Sequence, residues 1–123
     1  MRKTGFVFEE IPINSAFSIE VPSKLLSKNA LLDFLGNGLH FPDYFGGNWD
    51  AFEECIRDLS WLKEHNIVIR HLDLPLENEP PSARIYLSIL NDVIGKFKAN
   101  SLHNLIVAFP TQYMEKIEML IFD

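Results

Sequence analysis

The chain has 123 residues, of which 47% are hydrophobic and 23% are charged, a length and balance typical of one globular domain with one hydrophobic core. Its 11 Lys and Arg residues against 17 Asp and Glu residues give a formal net charge of -6. This charge favours a cationic partner and disfavours direct binding of nucleic acid, because phosphate contacts require a basic surface.

Neither a membrane segment nor a secretion signal is indicated. No stretch approaches the roughly 18 consecutive apolar residues of a membrane-spanning helix, and the basic first residues run into Glu9 and Glu10 instead of an apolar segment. The single cysteine, Cys55, has no partner for an intramolecular disulfide, which suits a reducing compartment. We therefore expect a cytoplasmic protein with no membrane partner.

The N-terminal third of the chain predicts two strands and a helix. Residues 6–8 and 17–21 are rich in aromatic and β-branched side chains, which favour strands. Asn29 is a candidate N-cap for the helix, and Gly36 and Gly38 are candidates for its end, because glycine accepts a left-handed conformation. The apolar face of this helix consists of Leu31, Leu35 and Leu39.

A second, strongly two-faced helix follows a loop at residues 40–47. Asn48 is its candidate N-cap. Steps of three and four residues place one set of side chains on a stripe that we expect to be buried: Trp49, Phe52, Ile56 and Leu59, with Cys55 beside them. The opposite face is charged and consists of Asp50, Glu53, Glu54, Arg57 and Asp58.

The remaining chain alternates strands with helices. Residues 66–70 and 105–109 predict buried strands, and the prolines of the loop at residues 74–81 disfavour a helix there. Ser82 is a candidate N-cap for a long helix, which has Tyr86, Leu90, Val93 and Phe97 on one face. Tyr113, Ile117 and Leu120 suggest a short final helix. This alternation predicts an α/β fold with a small parallel or mixed sheet covered by helices.

The usual catalytic and cofactor motifs are missing from the sequence. Gly36 and Gly38 begin a dinucleotide-binding pattern, but Phe41 stands where its third glycine belongs. The four histidines lack zinc-ligand spacing. Cys55 lies on the apolar stripe, which indicates a buried and unreactive thiol. These patterns therefore indicate no cofactor, no zinc site and no catalytic nucleophile.

The most unusual local feature is a cluster of five acidic residues between positions 41 and 60: Asp43, Asp50, Glu53, Glu54 and Asp58. Asp50 and Glu54 are four residues apart and share a helix face. Three interpretations remain open: a solvated helix stabilised through its dipole, an acid/base or divalent-metal site of a small enzyme using Asp43, Asp50 and Glu54, or an anionic docking surface. The docking interpretation also uses aromatic side chains of the preceding loop, which we expect to be exposed.

The same segment carries a longer pattern: Pro, an acid, Tyr, an aromatic residue, Gly, any residue, Asn, any residue, Asp-Ala, and a Cys five positions after the Asp. The residues that match it are Pro42, Asp43, Tyr44, Phe45, Gly46, Asn48, Asp50, Ala51 and Cys55. This pattern resembles the barstar family of ribonuclease inhibitors. The resemblance covers about residues 17–109 of what we expect to be a single domain at residues 1–123.

The resemblance implies a mostly parallel, three-stranded sheet flanked by helices, here with an extra N-terminal strand and C-terminal helix. It also implies a non-enzymatic inhibitor whose second helix and preceding loop enter a ribonuclease active site. Tyr44 and Asp50 match contact residues of the family, and Asp92 is the nearest candidate for an acidic contact on the later helix. Glu54 stands where the family has Asp, and Glu53 where it has Trp.

We therefore expect a cytoplasmic, bacterial immunity or antitoxin protein that blocks the cationic active site of a ribonuclease or related toxin. The expected partner-binding residues are Tyr44, Asp50, Glu53, Glu54 and Asp92. The alternative is a barstar-like protein-binding domain with a partner that is not a nuclease. The changed residues at the centre of the acidic surface would suit specificity for a different toxin.

Overall fold

The computed structural model describes residues 3–8, 16–43, 45–99 and 102–122. Within these ranges strands and helices alternate, as the sequence predicts. The elements in chain order are β1 (Ala16–Val21), α1 (Lys28–Gly38), α2 (Trp49–Asp58), β2 (Asn66–His71), α3 (Pro80–Ala99), β3 (Asn104–Ala108) and α4 (Met114–Phe122), with a short 3-10 helix at Thr111–Tyr113.

The three strands form one parallel sheet in the order β1-β2-β3. In the centre of the sheet Ile19 of β1 is in register with Ile69 of β2, which is in register with Val107 of β3. Ile69 and Val107 are fully buried in a core that they share with the helices. The predicted α/β fold with a small parallel sheet is confirmed.

The extra N-terminal strand expected at residues 6–8 is present only as an isolated bridge between Val7 and Ala108. The N–H of Val7 donates to the carbonyl of Val107 at 2.9 Å, and the N–H of Phe109 donates to the carbonyl of Val7 at 3.0 Å. Phe6 packs edge-on against Phe109, with ring centroids 5.1 Å apart. These contacts attach the N-terminal segment to the outer edge of β3.

Two helices begin earlier than the predicted N-caps, α1 by one residue and α3 by two. The cap of α1 is Ser27, whose Oγ accepts from the N–H of Ala30 at 3.1 Å, so the prediction of Asn29 is wrong. The prediction of Ser82 as the cap of α3 is also wrong, because α3 begins at Pro80. Proline is tolerated in the first turn of a helix, where its missing N–H would have no partner within the helix.

The predicted glycine ending of α1 is confirmed at Gly38, the last residue of the helix, whereas Gly36 lies inside it. The left-handed conformation falls on His40, at φ 58°. Gly36 serves packing instead: a Cβ there would lie 3.1 Å from the ring of Phe45, closer than ordinary van der Waals contact. The small residue therefore lets the loop after α1 pack directly on the helix.

The predicted start of α2 is confirmed, and so is its inner face except at Trp49, which is only half-buried. The side-chain oxygen of Asn48 accepts from the N–H of Ala51 at 2.8 Å. Phe52, Ile56 and Leu59 are fully buried, and Leu59 ends the helix in a left-handed conformation, at φ 49°. The apolar stripe therefore orients the helix, and its charged face is turned outward.

A polar link crosses the core beside the sheet. The Nδ1 of His71 lies 3.0 Å from the carbonyl oxygen of Ala108, and its Nε2 lies 2.7 Å from the hydroxyl of Tyr86. Because a carbonyl only accepts, Nδ1 carries the proton and Nε2 accepts from Tyr86. Burial lowers the pKa of His71 to about 3. This effect of burial outweighs the hydrogen bond to Ala108, which acts to raise the pKa.

The buried, neutral His71 predicts a loss of stability in mild acid. As the pH falls below 6.5 the unfolded chain binds a proton that the native protein excludes until about pH 3. The free energy of unfolding should therefore fall by about 1.4 kcal/mol per pH unit once the pH is well below 6.5. Urea denaturation between pH 7 and pH 5, above the ordinary range of the carboxyl groups, measures this slope.

The slope should disappear in His71→Gln, which has no titrating group, and should persist in His40→Asn, which changes an exposed histidine and suits its left-handed backbone. A wild-type stability that stays constant from pH 6.5 to pH 5 would contradict the assignment.

The cap of α2 gives a second prediction. Asn48→Ala leaves the N–H of Ala51 without its side-chain acceptor and should lower the free energy of unfolding by about 1 kcal/mol, whereas Asn48→Asp keeps an acceptor and should cost much less. Chemical denaturation of both variants tests this prediction. An equal loss of unfolding free energy in both would show that the side-chain acceptor at position 48 does not stabilise the protein.

Candidate partner-binding site

The outer face of α2 presents carboxylates to solvent. Asp50, Glu54 and Asp58 are exposed, and Glu53 is half-buried. Asp50 and Glu54 are one helical turn apart, so both carboxylates project from the same side of α2. Asp50 also lies in the first turn, where the helix dipole stabilises a negative charge. We call Asp50, Glu53 and Glu54 the acidic face.

None of the ion pairs among the described residues involves the acidic face. Within the described part of the chain the ion pairs join Lys96 to Asp92, at 3.1 Å, and Lys116 to Glu77, at 2.9 Å. Neither pair involves a residue of α2. Like charges four residues apart also oppose helix formation. Within the described part of the chain, the acidic face therefore carries negative charge that no ion pair neutralises.

Trp49 begins α2 and lies at the margin of the core. It is half-buried, so the prediction of a buried Trp49 holds only in part. Its ring packs against Phe52, at 6.2 Å between centroids, and against Tyr86, at 6.3 Å. The exposed part borders a cleft of about 470 Å³, which is lined by Ser27, Lys28, Asn29, Trp49, Glu79 and Ser82. The helical spacing alone gave no sign of this cleft, because it depends on the starts of three separate helices.

The two aromatic residues of the preceding loop that the structure describes, Phe41 and Phe45, point inward, against the expectation of exposed aromatics. Phe41 and Phe45 are half-buried and contact each other at 5.0 Å between centroids. Phe41 also packs against Phe52, at 6.2 Å, and against Trp61, at 6.1 Å. The indole N–H of Trp61 donates to the carbonyl of Leu39 at 2.9 Å. These rings anchor the described part of the loop beneath α2.

Two of the expected contact residues stand apart from the acidic face. Tyr44 lies outside the described residues. Asp92 lies on α3, is more than half exposed and pairs with Lys96. It is six residues beyond Tyr86, about 240° around the helix, and therefore does not lie on the side of α3 through which Tyr86 packs against α2. The structure brings together Asp50, Glu53 and Glu54.

Cys55 is buried on the inner side of α2, at 2% exposure. Burial raises the pKa of its thiol, and the nearby carboxylates of Asp58 and Glu54 act in the same direction. The thiol is therefore protonated at neutral pH and is a poor nucleophile.

The other candidate chemistries have no matching arrangement in the described ranges. There, no group of three or more His, Cys, Asp or Glu side chains is placed to hold a metal ion, so the hypothesis of a metal site at Asp43, Asp50 and Glu54 lacks a ligand cluster. None of the described helices is long and apolar enough to cross a membrane.

A known protein family matches most of the chain. Residues 18–108 match the model of the family described as Barstar (barnase inhibitor). Comparisons with curated proteins and with solved structures gave no match. The matched segment runs from within β1 to the end of β3 and includes the whole acidic face. It covers well over half of the chain, and the chain therefore belongs to the barstar family.

Proposed function

We propose that this protein is an intracellular, non-enzymatic inhibitor that docks the acidic face of α2 into the cationic active site of a ribonuclease or related toxin. The observation that carries the proposal is the position of Asp50 and Glu54. They lie exposed on the capped helix of a barstar-family chain, and neither is in an ion pair with any other residue that the structure describes. The active site of an enzyme that cleaves RNA must bind phosphate, so it offers the cations that such a surface requires.

The mechanism is competitive occupation of a phosphate site. A carboxylate that replaces a substrate phosphate forms charge-assisted hydrogen bonds to arginine, lysine or protonated histidine of the partner. The negative surface also accelerates encounter with a positive one, and salt weakens this effect. Because Asn48 caps α2 and Phe52 anchors it in the core, little ordering of the helix is needed on binding.

Two residues at the centre of the acidic face adapt it to its partner. A tryptophan at position 53 would give a large, amphipathic contact surface, whereas Glu53 adds a charge and is half-buried. Glu54 is one methylene longer than an aspartate and reaches about 1.5 Å further. We infer that the partner has an additional cation or a deeper pocket opposite these residues.

The alternative is a partner that is not a nuclease, bound through the same acidic face. The feature that favours it is again Glu53, because the exchange of an aromatic contact for a charge changes which surfaces α2 fits. Both candidates use Asp50 and Glu54, and they differ in whether ribonuclease activity is blocked.

The first test is titration of the protein into an assay of a barnase-type ribonuclease. We expect inhibition that reaches completion at one inhibitor per enzyme, with association slowed by added salt because encounter is electrostatically steered. Full ribonuclease activity at a large molar excess of the protein would overturn the proposed nuclease partner in favour of the alternative.

Charge reversal locates the binding surface. Asp50→Lys and Glu54→Lys should each weaken inhibition by at least about thirtyfold, equivalent to roughly 2 kcal/mol, because each places a cation against the partner's cations. Glu115→Lys makes the same charge change at an exposed position of α4 and should leave the inhibition constant nearly unchanged. Equal effects of all three variants would indicate a general charge effect and not a defined surface.

Substitution toward the family pattern tests the role of the two central residues. Glu53→Trp combined with Glu54→Asp should tighten binding to a barnase-type ribonuclease by about tenfold or more, because it restores aromatic contact and a shorter acid. The inhibition constants of the double variant and of the wild type give the answer. Weaker binding of the double variant would show that the wild-type residues already suit that enzyme.

A further inference from the structure

Tyr86, which is hydrogen-bonded to His71, also packs against α2. Tyr86 is fully buried, and its ring lies 5.8 Å from that of Phe52 and 6.3 Å from that of Trp49, measured between centroids. Both are residues of α2. Phe52 is fully buried and is followed directly by Glu53 and Glu54 along the helix. A side chain of α3 therefore forms the surface on which the aromatic residues of α2 rest.

The hydroxyl of Tyr86 fixes where that surface lies. A phenylalanine would fill nearly the same volume, and a buried hydroxyl has a large desolvation cost unless it is hydrogen-bonded. Here the hydroxyl donates to Nε2 of His71 at 2.7 Å. A hydrogen bond is directional, so it restricts the ring of Tyr86 more narrowly than apolar packing alone.

His71 is itself held on two further sides. Its Nδ1 donates to the carbonyl of Ala108, at the end of β3, at 3.0 Å. Its ring stacks on Phe109, with centroids 4.0 Å apart and planes 14° apart. His71 ends β2, so these contacts connect the carboxyl ends of two strands, through Tyr86, to the inner face of α2.

We propose that Tyr86, held by His71, is a positioning residue that sets the placement of α2 against the sheet and thereby the direction of the acidic face. This proposal rests on the proposed function, since it takes α2 as the binding helix. Tyr86 is buried and does not touch the partner, so its effect on binding acts entirely through Phe52 and Trp49.

The test compares Tyr86→Phe with Ile94→Val in the free protein. Ile94 is buried on the same helix and packs against Gly5 of the N-terminal segment. Amide hydrogen exchange is measured for α1 and α2 in both variants. We expect α2 amides to exchange about tenfold faster in Tyr86→Phe, with α1 unchanged, because the local anchorage of α2 is lost. In Ile94→Val both helices should change by the same factor.

Equal acceleration of α1 and α2 in Tyr86→Phe would overturn the proposal, because a purely structural defect lowers global stability and affects all core amides alike. The nitrogen chemical shift of His71 Nε2 should also change in Tyr86→Phe, and an unchanged shift would overturn the assigned hydrogen bond. If Tyr86→Phe does not fold, Phe109→Leu replaces it, because it removes the ring stacked on His71. It also removes the contact with Phe6, so the comparison is again between the two helices, and exchange should accelerate in α2 and not in α1.

The binding arm of the test uses a barnase-type ribonuclease. The dissociation rate of its complex with Tyr86→Phe should exceed that with Ile94→Val by about tenfold, and equal rates would overturn the positioning role. Failure of the proposed function can be told apart from failure of the positioning role. If the proposed function is wrong, the wild-type protein does not inhibit the ribonuclease, but the exchange measurements on the free protein still test whether Tyr86 positions α2.

Discussion

The burial of one side of α2 is the constraint on which the rest of the site depends. Phe52, Ile56 and Leu59 are fully buried, and removing each such side chain from water contributes roughly 1.5–3 kcal/mol. A rotation of the helix that brought its carboxylates inward would lose this term and would also desolvate charges. Hydrophobic packing therefore turns the acidic face outward.

The same packing explains how a strongly acidic helix is tolerated. Asp50 and Glu54 repel each other along one face, and no ion pair within the described ranges relieves them. The N-cap at Asn48 and the aromatic contacts of Phe52 with Phe41 and Tyr86 stabilise the helix despite this repulsion. The protein thus retains a repulsion between carboxylates that a cationic partner would reduce. Functional sites often cost local stability in this way.

Much of this arrangement is predictable from the sequence, because it depends on local spacing. The 3.6-residue period of α2 placed Asp50 and Glu54 on its outer face, Asn48 at its start and Phe52 in the core, and the apolar runs located β2 and β3. Local sequence rules are less decisive where two nearby residues could both serve as the N-cap of a helix. Ser27 and Asn29 are both good caps, and only the start of α1 at Lys28 selects Ser27.

The features that the sequence did not predict depend on tertiary contacts. Phe41 and Phe45 have no helical or strand period, so their inward orientation follows only from contacts with Gly36, Phe52 and Trp61. The partial exposure of Trp49 reflects its place at the mouth of a cleft between helix starts. The link from His71 to Tyr86 joins residues 15 positions apart on a strand and a helix, which no periodicity relates.

The most direct test of the central claim is a residue-resolved NMR titration of the labelled protein with a barnase-type ribonuclease. We expect the amide shifts that change on binding to cluster at residues 41–58 and to spare the exposed side of α4. Shift changes confined to β1 or α4, with α2 unperturbed in a formed complex, would contradict the assignment of α2 as the binding helix.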